Sequence, residues 1–555
     1  MSDIMEAMSA TVCRTFDRPV LAVLLTALLA ACGDSGDPPS VGLAPGEAPP
    51  NVLFVSIDTL RADALGTYGN PRDTSPHIDA LAERGVVFED PTTTTSWTLP
   101  SHLSMFTGLS ISAHGICDDR IYQGVTRGEI EFPLRGRFLS ERLAERGYAT
   151  AGFHSWKYLE AEYGFGGGFD TYERIGTTVW SDPERKAEFE ALYTAGKTKE
   201  LRAWMEAEPE AFDDHAPTGH LVVDRSLEWL DQHSEQRADD PFFLFVHLFD
   251  SHNDYLPPEG FDRFMTDYVG PIDGSSVVGP ESKALPGMPA QDLERLEALY
   301  HGEVAWVDHQ LGRLFDRLEE TGLAEDTLVV LTSDHGEEFF EHGHKVHRTH
   351  LFHESVHVPL VLSWPGHLPE GRRVEGTVGV VDIVPTLAEL LDLPVPERLS
   401  GRSLVPAIEG APLEPAVYLT ELMDFSEDDT KPRRLVALRE GPAHWLLWVE
   451  PDGTKDLRLF DRRHDPLGTT FGIPVTPDSP EWQAFHALLD TVRAQTRSER
   501  ADAPPRALAE GTDTADNAAE LAAMGYLGDT SNAVFVPSDR LCLDGCLLSP
   551  GAPTE

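Results

Sequence analysis

The sequence predicts an α/β fold: a doubly wound, mostly parallel sheet flanked by helices, with a smaller C-terminal α+β subdomain. Three observations carry this reading. Short apolar runs recur along the chain, as expected of strands buried on both faces. Helical patterns lie between them, the alternation that builds parallel sheets. A Gly- and Pro-containing break at 410–416 then precedes runs that alternate in polarity, the signature of antiparallel strands with one wet face.

In chain order, the first strand is Asn51–Ile57 (NVLFVSI), and similar runs follow at 149–153, 242–248, 327–332 and 358–363. Helices are expected over 75–84, 138–146, 219–233 and 291–320; in the last, Leu293, Leu296, Leu299 and Val307 stand at near-helical spacing. The large α/β domain therefore spans 51–410. The alternating runs at 435–439 and 445–449 place the α+β subdomain at 416–500, and the Ala-, Asp-, Pro- and Thr-rich residues 501–555 read as a loosely packed tail. Cys542 and Cys546 are spaced to close a small disulfide loop in an oxidising compartment.

Composition narrows the function. A chain of 555 residues that is 41% hydrophobic and 25% charged is globular, not disordered or collagen-like. Its 93 acidic against 44 basic side chains give a net charge of -49, which argues against nucleic acid as a partner, because phosphate backbones are bound by clustered Lys and Arg. Five cysteines are too few for a disulfide scaffold. At the N-terminus, Arg14 and Arg18 precede about a dozen apolar residues (20–31), the length of a signal-peptide core and too short to span a bilayer. The stretch ends Leu29-Ala30-Ala31-Cys32-Gly33, which resembles a bacterial lipoprotein box. Residues 1–31 are thus expected to be a signal peptide and Cys32 the lipidated first residue. Residues 32–50 form a flexible tether, and the protein is placed in the bacterial cell envelope, periplasmic or at the cell surface. The alternative is a secretory signal whose cysteine is incidental.

Chemistry is sought at the strand tips, since ligands of doubly wound folds sit outside the carboxyl ends of their strands. The first strand runs into Asp58-Thr59 and the fourth into Asp334-His335-Gly336. Two carboxylates and an imidazole form a set suited to a divalent cation, although either Asp alone reads equally well as a turn or cap residue. A third element, Ser96-Trp97-Thr98-Leu99-Pro100-Ser101-His102, has the Pro and following apolar run of a helix start, with Thr98 at the cap. A hydroxyl there can serve as a plain cap, or it can attack an anionic substrate that the helix end and a cation attract.

Taken together, Asp58-Thr-Leu-Arg-Ala-Asp63, Thr98-Leu-Pro-Ser-His102 with Thr107-Gly108 and His114-Gly115, Asp334-His335-Gly336-Glu337-Glu338 with Glu341-His342-Gly343, and Val358-Pro359-Leu360 with Pro365-Gly366 closely resemble the sulfatase family of the alkaline phosphatase superfamily. The segment 246–252 and Leu459-Phe460-Asp461 extend the resemblance. It implies an alkaline-phosphatase-like fold, a metal bound by Asp58, Asp334 and His335 with the Thr98 hydroxyl approaching it, and Thr98 as nucleophile. It also implies that His252 contacts the anion or protonates the leaving group, and that a Lys or His of Lys345, His347 and His350 supplies a further contact, with His347 preferred as catalytic. His102 stands where an arginine ordinarily holds the nucleophile.

The departures from the family pattern are chemical. Family members carry Cys or Ser at the Thr98 position, which is oxidised to formylglycine; Thr would give a ketone. Thr59 replaces a second Asp, and His335 stands where many members have Asn. Fewer carboxylates and an imidazole favour Mn or Zn over Ca, as one or two ions. The expectation is a lipid-anchored hydrolase that cleaves phosphate or sulfate esters through a covalent Thr98 intermediate. Phosphoesters are favoured, and the anionic substrate is a small ester, a glycan or a lipid head group. Alternatives are a phospho-group transferase acting on envelope lipids or glycans, and a non-catalytic binder of anionic glycans.

Overall fold

The structure, a computed structural model, describes residues 41–116, 137–176, 218–237, 240–278, 281–424, 433–465 and 468–499, with isolated positions beyond them. Cys32, the signal segment, Cys542 and Cys546 lie outside the described residues. The larger unit is an eight-stranded sheet. In chain order its strands are β1 (Asn51–Ile57), β2 (Val86–Thr92), β3 (Ala149–His154), β4 (Thr171–Arg174), β5 (Phe242–Leu248), β6 (Thr327–Ser333), β7 (Leu360–Ser363) and β8 (Arg372–Gly379). Across the sheet the order is β8-β2-β7-β6-β1-β5-β3-β4. β1 lies parallel to both β5 and β6, with Ile57 level with Leu248 on one side and Ser333 on the other. Three strand tips therefore end side by side.

The helices are α1 (Pro76–Glu83), α2 (Thr98–Thr107), α3 (Leu139–Glu145), α4 (Gly219–Gln236), α5 (Ala290–Glu320), α6 (Ile383–Leu390) and α7 (Pro480–Glu499). The period of two along each strand separates two cores. Val52 and Phe54 of β1 and Phe243 and Phe245 of β5 face α2, where Phe106 lies 4.9 Å from Phe245 and 5.6 Å from Phe54 between ring centroids. Leu53 and Val55 with Leu244 and Val246 face the opposite way, onto Leu299, Val307 and Leu311 of α5.

The sequence reading differs from the structure in specific places. The run at 358–363 yields a strand only from Leu360, and β7 runs antiparallel to both neighbours, β6 and β2. Strands β2, β4 and β8 have no counterpart among the predicted runs, because each interleaves polar residues: VVFEDPT, TYER and RRVEGTVG. α2 begins at Thr98 with Trp97 in the cap position, one residue earlier than expected. Pro100 fits there because the first backbone N–H groups of a helix have no intrahelical acceptor to lose.

The smaller unit is a five-stranded antiparallel sheet in chain order: β9 (Val417–Asp424), β10 (Arg433–Glu440), β11 (Ala443–Val449), β12 (Lys455–Asp461) and β13 (Ile473–Pro474). Helix α7 covers one face with Phe485, Leu489 and Val492. The two sheets are tied at Asp90 on β2, which accepts from Arg439 on β10 at 2.5 Å, from Arg462 after β12, and from Thr377 on β8 at 2.6 Å. The Arg439 side chain is fully buried. A second tie reaches the residues ahead of α2. The Thr420 hydroxyl donates to the Thr93 carbonyl at 2.9 Å, the Glu421 N–H donates to the Thr94 carbonyl at 2.9 Å, and the Glu421 carboxylate accepts from the Ser112 N–H and hydroxyl.

A buried guanidinium stripped of its carboxylate keeps its desolvation cost without the attraction that offset it. Asp90→Ala is therefore expected to lose about 3–5 kcal/mol of stability, read from urea unfolding, whereas Asp452→Ala on an exposed turn leaves the midpoint unchanged.

Candidate active site

The parallel register of β1, β5 and β6 brings Asp58, His247 and Asp334 to one point under the N-terminus of α2. Each is fully buried. The Thr98 hydroxyl lies 3.4 Å from Asp58 Oδ2. His335 Nε2 lies 3.7 Å from Asp58 Oδ1 and 3.5 Å from Asp334 Oδ2. Its Nδ1 sits 2.9 Å from the Gly336 carbonyl, which can only accept, so the proton is on Nδ1 and the Nε2 lone pair is turned to the carboxylates. Asp58 Oδ1, Asp334 Oδ2 and His335 Nε2 have no hydrogen-bond partner. Buried polar atoms are rarely left so, and here the three converge.

The electrostatics point the same way. Burial pushes Asp58 up to about 7. Burial, followed by the nearby Asp58 charge, also raises Asp334. Burial alone would lower His335, but Asp334 and Asp58 outweigh it and hold its pKa above the ordinary value. Two carboxylates removed from water thus recruit positive charge, as a proton or as a cation. Asp58, Asp334 and His335 place one ligand atom each within 4.8 Å of one another. That oxygen-rich set with one imidazole fits a divalent cation, with the Thr98 hydroxyl beside it.

The surrounding loops are over-determined. Thr59 adopts φ 53, uncommon for a β-branched residue. It is held there by its hydroxyl on the Ser251 carbonyl at 2.6 Å, its N–H on Asp334 Oδ1 at 3.2 Å, and the Tyr300 hydroxyl on its carbonyl at 3.0 Å. Thr59, in place of a second Asp, thereby ties the tips of β1, β5 and β6 together. The Asp334 carbonyl accepts from the Thr93 and Ser101 hydroxyls at 2.6 and 2.7 Å, which fixes β6 to the segment leading into α2. Gly336 passes so close to the Glu354 carbonyl that a Cβ would stand 1.9 Å from it.

The remaining sequence-derived candidates divide. His102, one turn along α2, uses both ring nitrogens: Nδ1 on the Thr98 carbonyl and Nε2 on the Ser56 hydroxyl, each at 2.9 Å. His252 fixes Nδ1 on the Asn253 carbonyl at 2.8 Å and stacks on Phe249. His347 stands 4.5 Å from the His335 ring and 4.7 Å from His252 between centroids, with Nδ1 3.0 Å from Glu337. Glu337 is buried, and burial raises it to about 8. The structure thus gathers Asp58, Thr98, His102, His252, Asp334, His335 and His347. It spends Lys345 on the Val277 and Ala284 carbonyls and the Ser282 hydroxyl, and packs His350 against His344 and Phe352.

Two residues escaped the sequence reading. Lys157 is buried between the rings of Trp156 and Tyr158, which in turn contact His252 and Trp97. His247 lies 3.4 Å from Asp58 through Nε2. The sequence offers only a faint signal for it, an imidazole inside FFLFVHL that alternates onto the same face as Phe243 and Phe245, and the fold sets it level with Ser56.

Comparison with known proteins agrees with this architecture. The family model described as "Sulfatase" matches residues 50–393, more than half the chain, and that of "N-sulphoglucosamine sulphohydrolase, C-terminal" matches 340–467. An arylsulfatase of Clostridium perfringens is 24% identical over 454 residues, 76% of this chain and 89% of its own. A choline-sulfatase of Rhizobium meliloti is 26% identical over 486 residues, 80% and 86% of the two chains. The crystal structure of a phosphonate monoester hydrolase of Agrobacterium radiobacter shares the fold, with a TM-score of 0.62 at 24% identity, covering 80% of this chain and 96% of the other.

Gly336→Ala should force the Asp334-His335 tip away from Glu354. A loss of about 1–3 kcal/mol is expected, visible as a lowered thermal midpoint.

Proposed function

The chain belongs to the sulfatase family, and on that premise we propose that it hydrolyses anionic esters with the unmodified Thr98 hydroxyl as nucleophile, phosphoesters in preference to sulfate esters. Family membership makes it an ester hydrolase, and the family is metal-dependent. The observation that carries the finer reading is the Thr98 hydroxyl at a buried helix start, 3.4 Å from Asp58 and within the same cluster as the partnerless atoms of Asp58, Asp334 and His335.

Asp58, Asp334 and His335 would hold the cation, with Mn or Zn favoured by the imidazole. When bound, the cation supplies Lewis-acid polarisation of the ester and lowers the pKa of a neighbouring hydroxyl. Thr98 Oγ1 gives its proton to Asp58 Oδ2, towards which it points, and attacks the central phosphorus or sulfur in line, forming the Thr98 ester as the bond to the leaving oxygen breaks. The first-turn N–H groups of α2 favour negative charge on the non-bridging oxygens. His252, its Nδ1 proton fixed on the Asn253 carbonyl, enters as the imidazolium and donates its Nε2 proton to the leaving oxygen. His347, paired with Glu337, sits beside it for the water that cleaves the Thr98 ester. Lys157 supplies a buried positive charge at the same wall. A threonine cannot be converted to an aldehyde, and the preference for phosphoesters rests on that chemistry.

Three tests follow. Asp334→Ala should contain no stoichiometric Mn or Zn by elemental analysis and have no activity; full occupancy would remove Asp334 from the site. Thr98→Ala should lose at least about a hundredfold in rate with its fold intact, while Thr98→Ser retains phosphoesterase activity and intact-mass analysis of the wild type shows unmodified Thr98. Arylsulfatase turnover undiminished in Thr98→Ala would mean that another residue attacks.

The same proposal places the enzyme on an envelope membrane through a lipid on Cys32. Among the described residues no helix is long and apolar enough to cross a membrane, so attachment would rest on the N-terminus. Cys32→Ser should move the protein from the membrane fraction to the soluble one.

A further inference from the structure

His247 is fully buried and neither ring nitrogen has a hydrogen-bond partner. An imidazole in that state lacks the partner that buried polar groups nearly always have. Its surroundings limit what the partner is. Nε2 stands 3.4 Å from Asp58 Oδ2, the distance that also separates Asp58 Oδ2 from the Thr98 hydroxyl. Ligand atoms about 2.0–2.1 Å from a shared ion lie about 3.3–3.4 Å apart at the corners of a tetrahedron. The neighbouring separations, 3.5 Å from His335 Nε2 to Asp334 Oδ2 and 3.7 Å to Asp58 Oδ1, belong to the same scale, so the two imidazoles face the two oxygens of one carboxylate. His247 also groups with His102 and Asp334, with one ligand atom from each inside 4.8 Å.

His102 is not the ligand in that group. The Thr98 carbonyl can only accept, so His102 Nδ1 carries the proton, and Nε2 then accepts from the Ser56 hydroxyl. Both of its ring nitrogens are accounted for, one as donor and one as acceptor, whereas those of His247 are not.

We propose that His247 is a further protein ligand of the same ion, and that His102 is a positioning residue which holds the Thr98 carbonyl, at the start of α2, against that cluster. The inference rests on the metal reading above and extends it: two imidazoles in the ligand set select a borderline transition ion over a hard, oxygen-seeking one such as Ca.

The test uses the full chain loaded with Co(II), whose absorption reports ligand number and type, with affinities from competition against a chromophoric chelator and content from elemental analysis. His247→Phe keeps a ring beside His102 while removing both nitrogens, and His247→Ala serves if the larger ring disturbs folding, judged by circular dichroism. Wild type should bind one ion per chain. Both variants should bind Co(II) and Zn at least about tenfold more weakly, with an altered Co(II) spectrum and a Zn-to-Ca affinity ratio reduced by at least about tenfold. His102→Gln should keep the wild-type spectrum. An unchanged spectrum and affinity in both His247 variants overturn the assignment. Two ions per chain, one of them lost in the His247 variants while the first is kept, overturn it in favour of a separate second site. Full occupancy in Asp334→Ala would instead overturn the underlying metal reading, so the two failures are distinguishable.

Discussion

Two carboxylates held together out of water are the constraint around which this molecule is arranged. Asp58 and Asp334 follow adjacent parallel strands in register, so the sheet itself sets their separation. Nothing about an α/β fold requires such a pair, and burial without countercharge costs several kcal/mol per ion. The structure commits its firmest local geometry to keeping them there. The strained Thr59 backbone, the triple tether on that residue and the close passage of Gly336 behind His335 all serve this one spot. Strain of this kind persists where the surroundings over-determine it and where a ligand benefits from a site that is already formed.

The placement of α2 is the second half of the same solution. All ten of its residues are buried, so it has no wet face. Its apolar side packs Phe106 into a cluster with Phe54, Phe138, Phe165 and Phe245. Its N-terminal turn meets the carboxylates. A helix seated in this way cannot shift without opening the core, which is why the hydroxyl on its first residue is held in place beside Asp58.

What could be read in advance, and what could not, follows from these physical facts. Strands β1, β3, β5 and β6 were legible because burial on both faces leaves continuous apolar runs. The tips they present, Asp58 and Asp334-His335, were legible for the same reason. The polar-interleaved β2, β4 and β8 were not, since no period distinguishes them from loops. The antiparallel course of β7 was hidden as well: an apolar run does not record direction. Among side chains, Thr98 and His102 announced themselves through a short motif. Lys157 and His247 did not, because a lone Lys between aromatics or a lone His in a strand is ordinary until the neighbouring elements are in place. Lys345 and His350 sit in the expected segment, but only the fold decides which His or Lys of that loop turns inward, and it turned His347.

The hydrogen bonds from Thr420 and Glu421 to the carbonyls of Thr93 and Thr94 bear on how the chain can vary. The break at 410–416 looks like a seam along which modules could be exchanged. Yet strand β9, beyond that seam, grips the segment that leads into α2, and Glu421 holds the turn after it through Ser112. The appended sheet is therefore part of the mould that sets where the Thr98 hydroxyl stands. A hybrid that joined this α/β domain to another C-terminal sheet would have to reproduce these contacts to keep α2 where it is, so the seam in the sequence is not a seam in the structure.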